Sequence, residues 1–459
     1  MNRFASSGKL ALCLICSCGV LPAQPKAFTL QQAVETAVST YPATRAAAER
    51  LAAAAEQINL ARASYWPRAD LITQVNRASR NNVFGLLLPQ SVIPSISGPV
   101  LGTNHFTSVW GTAAGMLVSW EPFDFGQRRA AMAVAEASRD RAEAAAERAR
   151  FEIGAATADA FLTLLAAQET VKAAQAGVER AAAAERSVQA LVTAELRPGA
   201  DLSRARAEVA LAQNQLVQAE QAVALSRAAL GQMVGVPPND VSVEAGPFLT
   251  QAASSLPAAM DLLQHPAARE RRAAVEEARA RERTLEKELW PRLNLQAASY
   301  GRGSGARTDG ATGGAASGLA PTVYNWAVGF TVSFSPTVIF PLRARKAAAL
   351  HERQAEQAAY DQMLRELNGR MEKARAAVEG AKRLAANVPA QLEAARMAER
   401  QARARYDAGL GVFVEVAEAQ RLLTQTEIDD SLARLNLWRA LLALAFAEGD
   451  LRAFFMAAK

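Results

Sequence analysis

Residues 405–420 read RYDAGLGVFVEVAEAQ. One alanine-rich helical pattern runs into this stretch and another runs out of it. Gly409 and Gly411, between them, supply the positive φ that a sharp reversal needs, so the stretch predicts the tip of a helical hairpin. Just beyond it Glu415 and Glu418 stand three apart, a spacing that puts both carboxylates on one helix face. An earlier stretch has the same plan. Subtracting 214 from the position takes Glu415 to Asp201, and Gly449 to Gly235, both of which close helical runs. The same step takes Gly409 to Glu195, so in the first copy the reversal is expected from Pro198 and Gly199. A second set of matches lies 224 apart: Pro42 with Pro266, and Trp66-Pro67 with Trp290-Pro291. The chain therefore divides into two structural repeats, residues 24–246 and 247–459.

Within each repeat the hydrophobic period changes. Residues 28–64 are helical in pattern, split at Pro42 with Ser39 or Thr40 as candidate cap, and end at Trp66-Pro67 because proline disfavours helix in the residue before it. Residues 257–289 match them in the second repeat. Alternation then takes over. Trp110, Thr112, Ala114, Met116, Val118 and Trp120 face one way within 106–120. Trp326, Val328, Phe330, Val332 and Phe334 do so within 325–335. Residues 68–77 and 292–300 are weaker partner strands. Four strands of this length suit either an ordinary half-buried hairpin pair or tilted strands of a membrane barrel. Each pair is joined by a polar loop, residues 81–105 and 301–321, and the second, rich in Gly, Ala and Ser, is expected to be mobile. Long helices with almost no helix breakers follow at 126–194 and 342–407, each about 100 Å at 1.5 Å per residue. They return through shorter helices at 201–234 and 412–448. Helices that long cannot be buried in a compact domain of 459 residues, so they must pack as coiled coil against each other and against further copies.

The formal charge is +6 and the isoelectric point about 9.4. The basic residues are interspersed with acids along helices (Glu147, Arg148, Arg150, Glu152), the pattern of a solvated face, and no basic tract with interleaved aromatics points to nucleic acid. Residues 1–23 read as a secretory signal, with Arg3 and Lys9 ahead of a short apolar core and Ala23 at the cleavage point. All three cysteines, Cys13, Cys16 and Cys18, fall inside it, so the mature chain is expected to have no thiol chemistry. The alternative is a lipoprotein acylated at Cys18, although Ile15-Cys16-Ser17 fits a lipobox poorly. No later apolar run is long enough for a transmembrane helix, so a crossing of the membrane would have to be made by β-strands.

The tip, with a tyrosine, two residues, a glycine and then two acids three apart, resembles the periplasmic tip of TolC-type outer-membrane efflux channels. The order helix, strand, loop, strand, long helix, tip, helix, given twice, extends that resemblance over nearly the whole chain after the signal. It implies a mainly α protein with a membrane β-barrel part. Three chains would each give four strands to one 12-stranded barrel and their helices to a periplasmic α-barrel. It implies a homotrimer in the outer membrane, a passive exit duct for a tripartite efflux or type I secretion system. Its partners would be outer-membrane lipid, a periplasmic adaptor and an inner-membrane pump. By the same resemblance Asp201, Glu415 and Glu418 line an acidic pore constriction. Leu196, Arg197, Pro198 and Gly199, with Ala408, Gly409, Leu410 and Gly411, form the adaptor-contact tips. Trp326, Val328, Phe330, Val332 and Phe334 face lipid. The pattern departs at Glu195, where a tip glycine is expected, and at Gly411, where some members carry a basic residue that pairs across the closed gate.

Catalytic groupings are not apparent. His105, His265 and His351 are far apart and lack paired ligand spacing, and they read as surface or loop histidines. The glycines at 301, 303 and 305 lead into more loop rather than a helix. No cofactor, metal site or enzymatic activity is expected. The runner-up reading is a secreted periplasmic coiled-coil structural or adaptor protein without a pore. Against the gate reading, Glu415 and Glu418 could simply be a solvated helix start, where the helix dipole favours negative charge.

Overall fold

A computed structural model describes residues 26–79, 107–249, 261–307, 309 and 311–458. The expected signal segment with Cys18, His105, the 81–105 loop and residues 257–260 of the expected 257–289 helix lie outside these. In chain order the elements are β1 (Lys26–Phe28), α1 (Leu30–Thr40), α2 (Pro42–Ala63), β2 (Arg68–Ser79), β3 (Ser108–Phe123), α3 (Gln127–Thr193) and α4 (Gly199–Val234). Then come β4 (Val241–Val243), α5 (Pro266–Glu286), β5 (Arg292–Ser304), β6 (Val323–Ser333), α6 (Ile339–Asp407), α7 (Phe413–Glu448) and α8 (Arg452–Ala457).

Local chemistry sets several of these bounds. A capping box starts α1: Gln32 N–H donates to Thr29 Oγ1 and Thr29 N–H to Gln32 Oε1, both at 3.3 Å. Ser39 and Thr40 do not cap α2 as expected; both hydroxyls bond back to the Thr36 carbonyl. Tyr41 takes the cap position and Pro42 the first turn, where its missing N–H costs nothing. The helix expected over 257–289 begins at Pro266 for the same reason, preceded by a 3-10 turn at Leu262–Gln264, and ends at Glu286. Its N-cap is His265, which is not a surface residue. It is 3% exposed; Nδ1 accepts from Ala267 N–H and Nε2–H donates to the Phe446 carbonyl, each at 3.1 Å. Burial pushes its pKa down.

The four long strands form one antiparallel sheet in the order β2-β3-β5-β6. Its pairing puts the odd-numbered residues of β2 from Ala69 to Arg77 on the same face as the even-numbered residues of β3 from Trp110 to Trp120. Leu295 and Ala297 of β5, and Trp326, Val328, Phe330 and Val332 of β6, share that face. It is apolar and open: Leu71 is 85% exposed, Trp326 79% and Phe330 74%. The other face carries Gln74, Asn76, Asn294, Gln296, Asn325 and Thr331. There Tyr300 is buried with Ala113, Leu117 and Ala298. The strands differ in extent from those expected. β5 runs on to Ser304, and β6 is shifted two residues toward the N-terminus, so Phe334 lies just past its end.

The 301–321 loop, expected to be mobile, is tied down. Gly305 N–H donates to the Trp110 carbonyl at 2.8 Å, Thr322 N–H to Arg302 at 2.8 Å, and Thr112 Oγ1 to Gly318 at 2.5 Å. Its glycines let backbone lie on backbone: a Cβ at Gly303 would stand 2.0 Å from the Ala320 carbonyl oxygen. Composition alone suggested a flexible linker; here the missing side chains make room for packing.

At the other end of β3 the chain turns into α3 through Phe125 (φ 50°) and Gly126 (φ 89°). The Asp124 carboxylate holds the turn, accepting from Gly126 N–H (3.1 Å), Arg128 N–H (2.7 Å) and Arg128 Nε (2.8 Å). Arg128 also reaches the carbonyls of Ser64 and Glu121 and lies over the Tyr65 ring. Burial raises the Asp124 pKa, but the Arg128 bond and the two amides outweigh it and hold the group below the usual carboxylate range.

The helices at 67 and 69 residues, α3 and α6, are each about 100 Å long. α3 packs on α2, α4, α5 and α7, and α6 on α5 and α7. Midway along the column β1 pairs in parallel with β4. Phe28, Phe161, Leu165, Leu230, Phe248, Trp438 and Phe454 form the main core there. Residues from both repeats meet in that core, so neither repeat has a separate interior.

Candidate functional site

The two helical tips sit side by side. At the second, the backbone closes with Ala408 N–H to Ala404 (3.1 Å), Gly409 N–H to Tyr406 (3.0 Å) and Leu410 N–H to Arg405 (2.8 Å). The first tip repeats all three bonds at the matching positions: Ala194 to Ala190 (3.1 Å), Glu195 to Val192 (3.0 Å) and Leu196 to Leu191 (2.9 Å). Gly409 takes φ 76° and Glu195 takes φ 58°. The reversal expected from Pro198 and Gly199 is thus made by Glu195, a non-glycine residue in the left-handed region. Pro198 instead caps α4, and Gly199 opens it. Gly411, also expected to take positive φ, does not. It is buried, and a Cβ there would press on Glu415 Oε2 (3.2 Å) and Arg405 Cβ (3.4 Å). Close approach, not backbone freedom, is what glycine provides at that position.

Tyr406 joins the tips. It is 3% exposed and packs with Val188, Ala205, Phe413, Val416 and Ala417, its ring edge-on to Phe413 at 5.8 Å. The Arg197 guanidinium of the first tip lies 4.5 Å over the Tyr406 ring and donates to the Tyr406 carbonyl at 2.8 Å. Burial raises the Tyr406 pKa, the Asp201 carboxylate adds to the rise, and Arg197 opposes it. Sequence reasoning did not find this contact. Its one signal was that Arg197 occupies in the first repeat the place that Gly411 holds in the second.

The three acids expected at the constriction are not alike. Asp201 is half-buried in the first turn of α4, beside Tyr406. Glu415 is in the first turn of α7, with Arg405 Nε 4.0 Å away. Glu418 is exposed one turn further on and has no ion-pair partner among the described residues. Leu196 (70% exposed) and Leu410 (75%) project from the two turns, with Pro198, Gly199, Ala408 and Gly409 exposed around them. The apolar sheet face lies at the far end of the column. Among the described residues no helix is long and apolar enough to cross a membrane.

A family model described as "Outer membrane efflux protein" matches residues 33–236 and 260–450. The fold is shared with solved outer-membrane channels. The open-state MtrE channel of Neisseria gonorrhoeae is 20% identical, with TM-score 0.72, covering 92% of this chain and 89% of that one. VceC of Vibrio cholerae is 17% identical, with TM-score 0.72 and coverages of 92% and 96%. CmeC of Campylobacter jejuni is 16% identical, with TM-score 0.72 and coverages of 98% and 94%. No curated protein matches the chain in sequence.

Proposed function

The chain belongs to the outer membrane efflux protein family, and on that footing we propose that three copies close a 12-stranded barrel whose helical column ends in a gate built from the two tips. An outer-membrane efflux channel with a periplasmic helical part is the family's role, and it is passive transport; nothing favours the pore-less coiled-coil alternative. The observation that carries the assembly is the open sheet. β2 and β6 each leave one row of backbone groups unpaired, and in lipid every such group must find a partner. Four strands are too few to close on themselves, so closure takes further copies, with Trp326, Val328, Phe330 and Val332 toward lipid and Phe334 at the rim.

At the tips, Asp201, Glu415 and Glu418 from three chains narrow the mouth. Unit charges about 7 Å apart at an effective dielectric near 20 repel by roughly 2 kcal/mol. A closed ring of carboxylates therefore draws in cations. Arg405 offsets part of the Glu415 charge, so Glu418 contributes more to the field. The Arg197–Tyr406 contact ties the two hairpins within each chain, and opening requires it to shift. Channels of this family work with an adaptor and an inner-membrane pump. The exposed residues Leu196, Pro198, Gly199, Ala408, Gly409 and Leu410 are where such an adaptor engages, with Arg197 and Gly411 behind them.

Planar-bilayer conductance tests the gate. Glu415→Ala combined with Glu418→Ala is expected to lower cation selectivity and divalent block, with Glu418→Ala alone giving the larger share. Unchanged selectivity and block in the double variant would sink the gate assignment.

A further inference from the structure

The two halves of the chain follow one plan with a fixed offset in each part. Arg68 pairs with Ser119 as Arg292 pairs with Ser333, so β2 maps onto β5 at an offset of 224 and β3 onto β6 at 214. α2 maps onto α5 at 224, through Pro42 and Pro266, and α3 onto α6 at 214, through Thr193 and Asp407. Packing follows the same order at every level. The sheet runs β2-β3-β5-β6, the helices below it α2-α3-α5-α6, and the helices toward the tips α4-α3-α7-α6. Each layer thus ends on the same two flanks, one made of β2, α2 and α4, the other of β6 and α6. The seam inside the chain joins the first half's β3 and α3 to the second half's β5, α5 and α7. A contact between copies joins β6 and α6 to the next copy's β2, α2 and α4, the same two kinds of surface in the same order.

We infer that the chain meets a second copy of itself in the register of its own internal seam, carried over by the repeat offsets. This rests on the cyclic assembly proposed above and goes further by fixing which residues meet. Within the chain Met116 opposes Ser299, Leu117 opposes Ala298 and Trp120 opposes Leu295. Adding 214 to the first member and subtracting 224 from the second sets Phe330 opposite Val75, Thr331 opposite Gln74, and Phe334 opposite Leu71 of the next copy. The chemistry agrees. Phe330, Phe334, Val75 and Leu71 are all exposed apolar residues, at 74%, 58%, 55% and 85%, and they pair on the apolar face. Thr331 and Gln74 pair on the polar one. A register displaced by one residue would set Phe330 against Gln74 or Asn76 and bury apolar surface against polar.

One ion pair of the internal seam carries over with its signs intact. Arg269 of α5 pairs with Glu147 of α3; the same offsets give Arg45 of α2 and Asp361 of α6. Both are exposed, and neither has an ion-pair partner among the described residues; Asp361 accepts only from Gln357, at 3.0 Å. The other pairs do not carry over: Arg141–Glu277 maps to Ala355 and Ala53, Arg148–Glu270 to Gln362 and Ala46, and, with α7 mapped onto α4 at 214, Arg180–Glu427 to Ala394 and Gln213 and Asp159–Arg439 to Lys373 and Leu225. Arg45 and Asp361 are therefore the polar link of the helical flank between copies.

Cysteine pairs read the register directly. Val75→Cys with Phe330→Cys in one chain is expected to give covalently linked subunits on oxidation, far faster than Val75→Cys with Val328→Cys or with Val332→Cys. The chain's own cysteines, at 13, 16 and 18, precede the expected cleavage point after Ala23. Preferential linkage of either displaced pair would overturn the register and leave the ring standing. No linkage from any pair, with a monomer in detergent by native mass spectrometry, would overturn the ring as well. If the strand variants fail to insert, Arg45→Glu and Asp361→Arg test the helical flank. Each alone is expected to lower the temperature at which the oligomer dissociates, and the two together to restore it; no recovery in the double variant overturns the pairing.

Discussion

The two tips share one backbone path but differ at its tightest point, and that difference can be measured. Gly409 holds φ 76° and Glu195 holds φ 58°. For an L side chain the left-handed region costs roughly 1–2 kcal/mol. A Cβ at Gly409 would have nothing within 4 Å, so Gly409→Ala introduces backbone strain without a clash. The alanine also loses less chain entropy on ordering, which returns about 0.5 kcal/mol. The net loss is about 1 kcal/mol of local stability, or roughly a fivefold change in the opening equilibrium. Hydrogen exchange at Leu410 N–H, which donates to Arg405 at 2.8 Å, reads that opening. Glu195→Gly should move Leu196 N–H, bonded to Leu191 at 2.9 Å, about as far in the slower direction. If Gly409→Ala leaves Leu410 exchange unchanged, or Glu195→Gly speeds exchange at Leu196, the shared geometry does not govern the stability of the tips.

Two further perturbations test the joints of the column. Burial lowers the His265 pKa, so the fold favours the neutral ring. Its contribution is complete above the unfolded value near 6.5 and falls as pH drops from there through the folded value. The thermal midpoint should decline over that window, and His265→Gln should flatten the decline; an equal slope in both proteins refutes the assignment. At the strand-to-helix corner, Asp124→Asn leaves the nearly buried Arg128, 12% exposed, without its countercharge. That should cost about 3 kcal/mol, seen as a lower denaturant midpoint, whereas a loss under about 1 kcal/mol would mean that the carbonyls of Ser64 and Glu121 suffice.

The elements with strong periodicity were legible from the residues alone. Two proline matches at one offset, with one glycine and one acid match at another, were enough to recover the duplication, and alternation located β3 and β6 to within three residues at each end. What escaped was set by contacts between distant parts. Nothing local to Glu195 marks it as the left-handed residue; the 214 offset sets it against Gly409, and the hydrogen bonds the two share show the common turn. The 301–321 loop has the composition of a flexible linker, yet its glycines fit against the Trp110 and Ala320 carbonyls. β1 and β4, three residues each, are too short to show a period, and α8 is a single short turn of helix outside the repeat plan. Tyr406 was read as a motif residue, whereas its work depends on Arg197, 209 positions away.

The repeats have not diverged evenly, and the direction of the divergence follows from when each seam forms. α5 is threaded between α3 and α6 by ion pairs: Arg141–Glu277, Arg148–Glu270 and Arg269–Glu147 on one side, Arg353–Glu282 and Arg271–Glu356 on the other. Glu277, 3% exposed, lies between Arg141 and Arg281. α2, its counterpart, has alanine at residues 46 and 53, where α5 has glutamates. The internal seam closes within one chain, at no cost in translational freedom, and its buried charges always find their partners. A flank that waits for another copy is exposed to water until then, and a row of matched charges there would have to be desolvated at assembly without certainty of alignment. Alanines give close helix approach with little to desolvate, and a single charge pair, Arg45 with Asp361, is enough to distinguish one alignment from its neighbours. On this reasoning, adding glutamates at Ala46 and Ala53 to restore the α5 pattern would slow assembly rather than strengthen it, because positions 362 and 355 of α6 are glutamine and alanine and offer no cation.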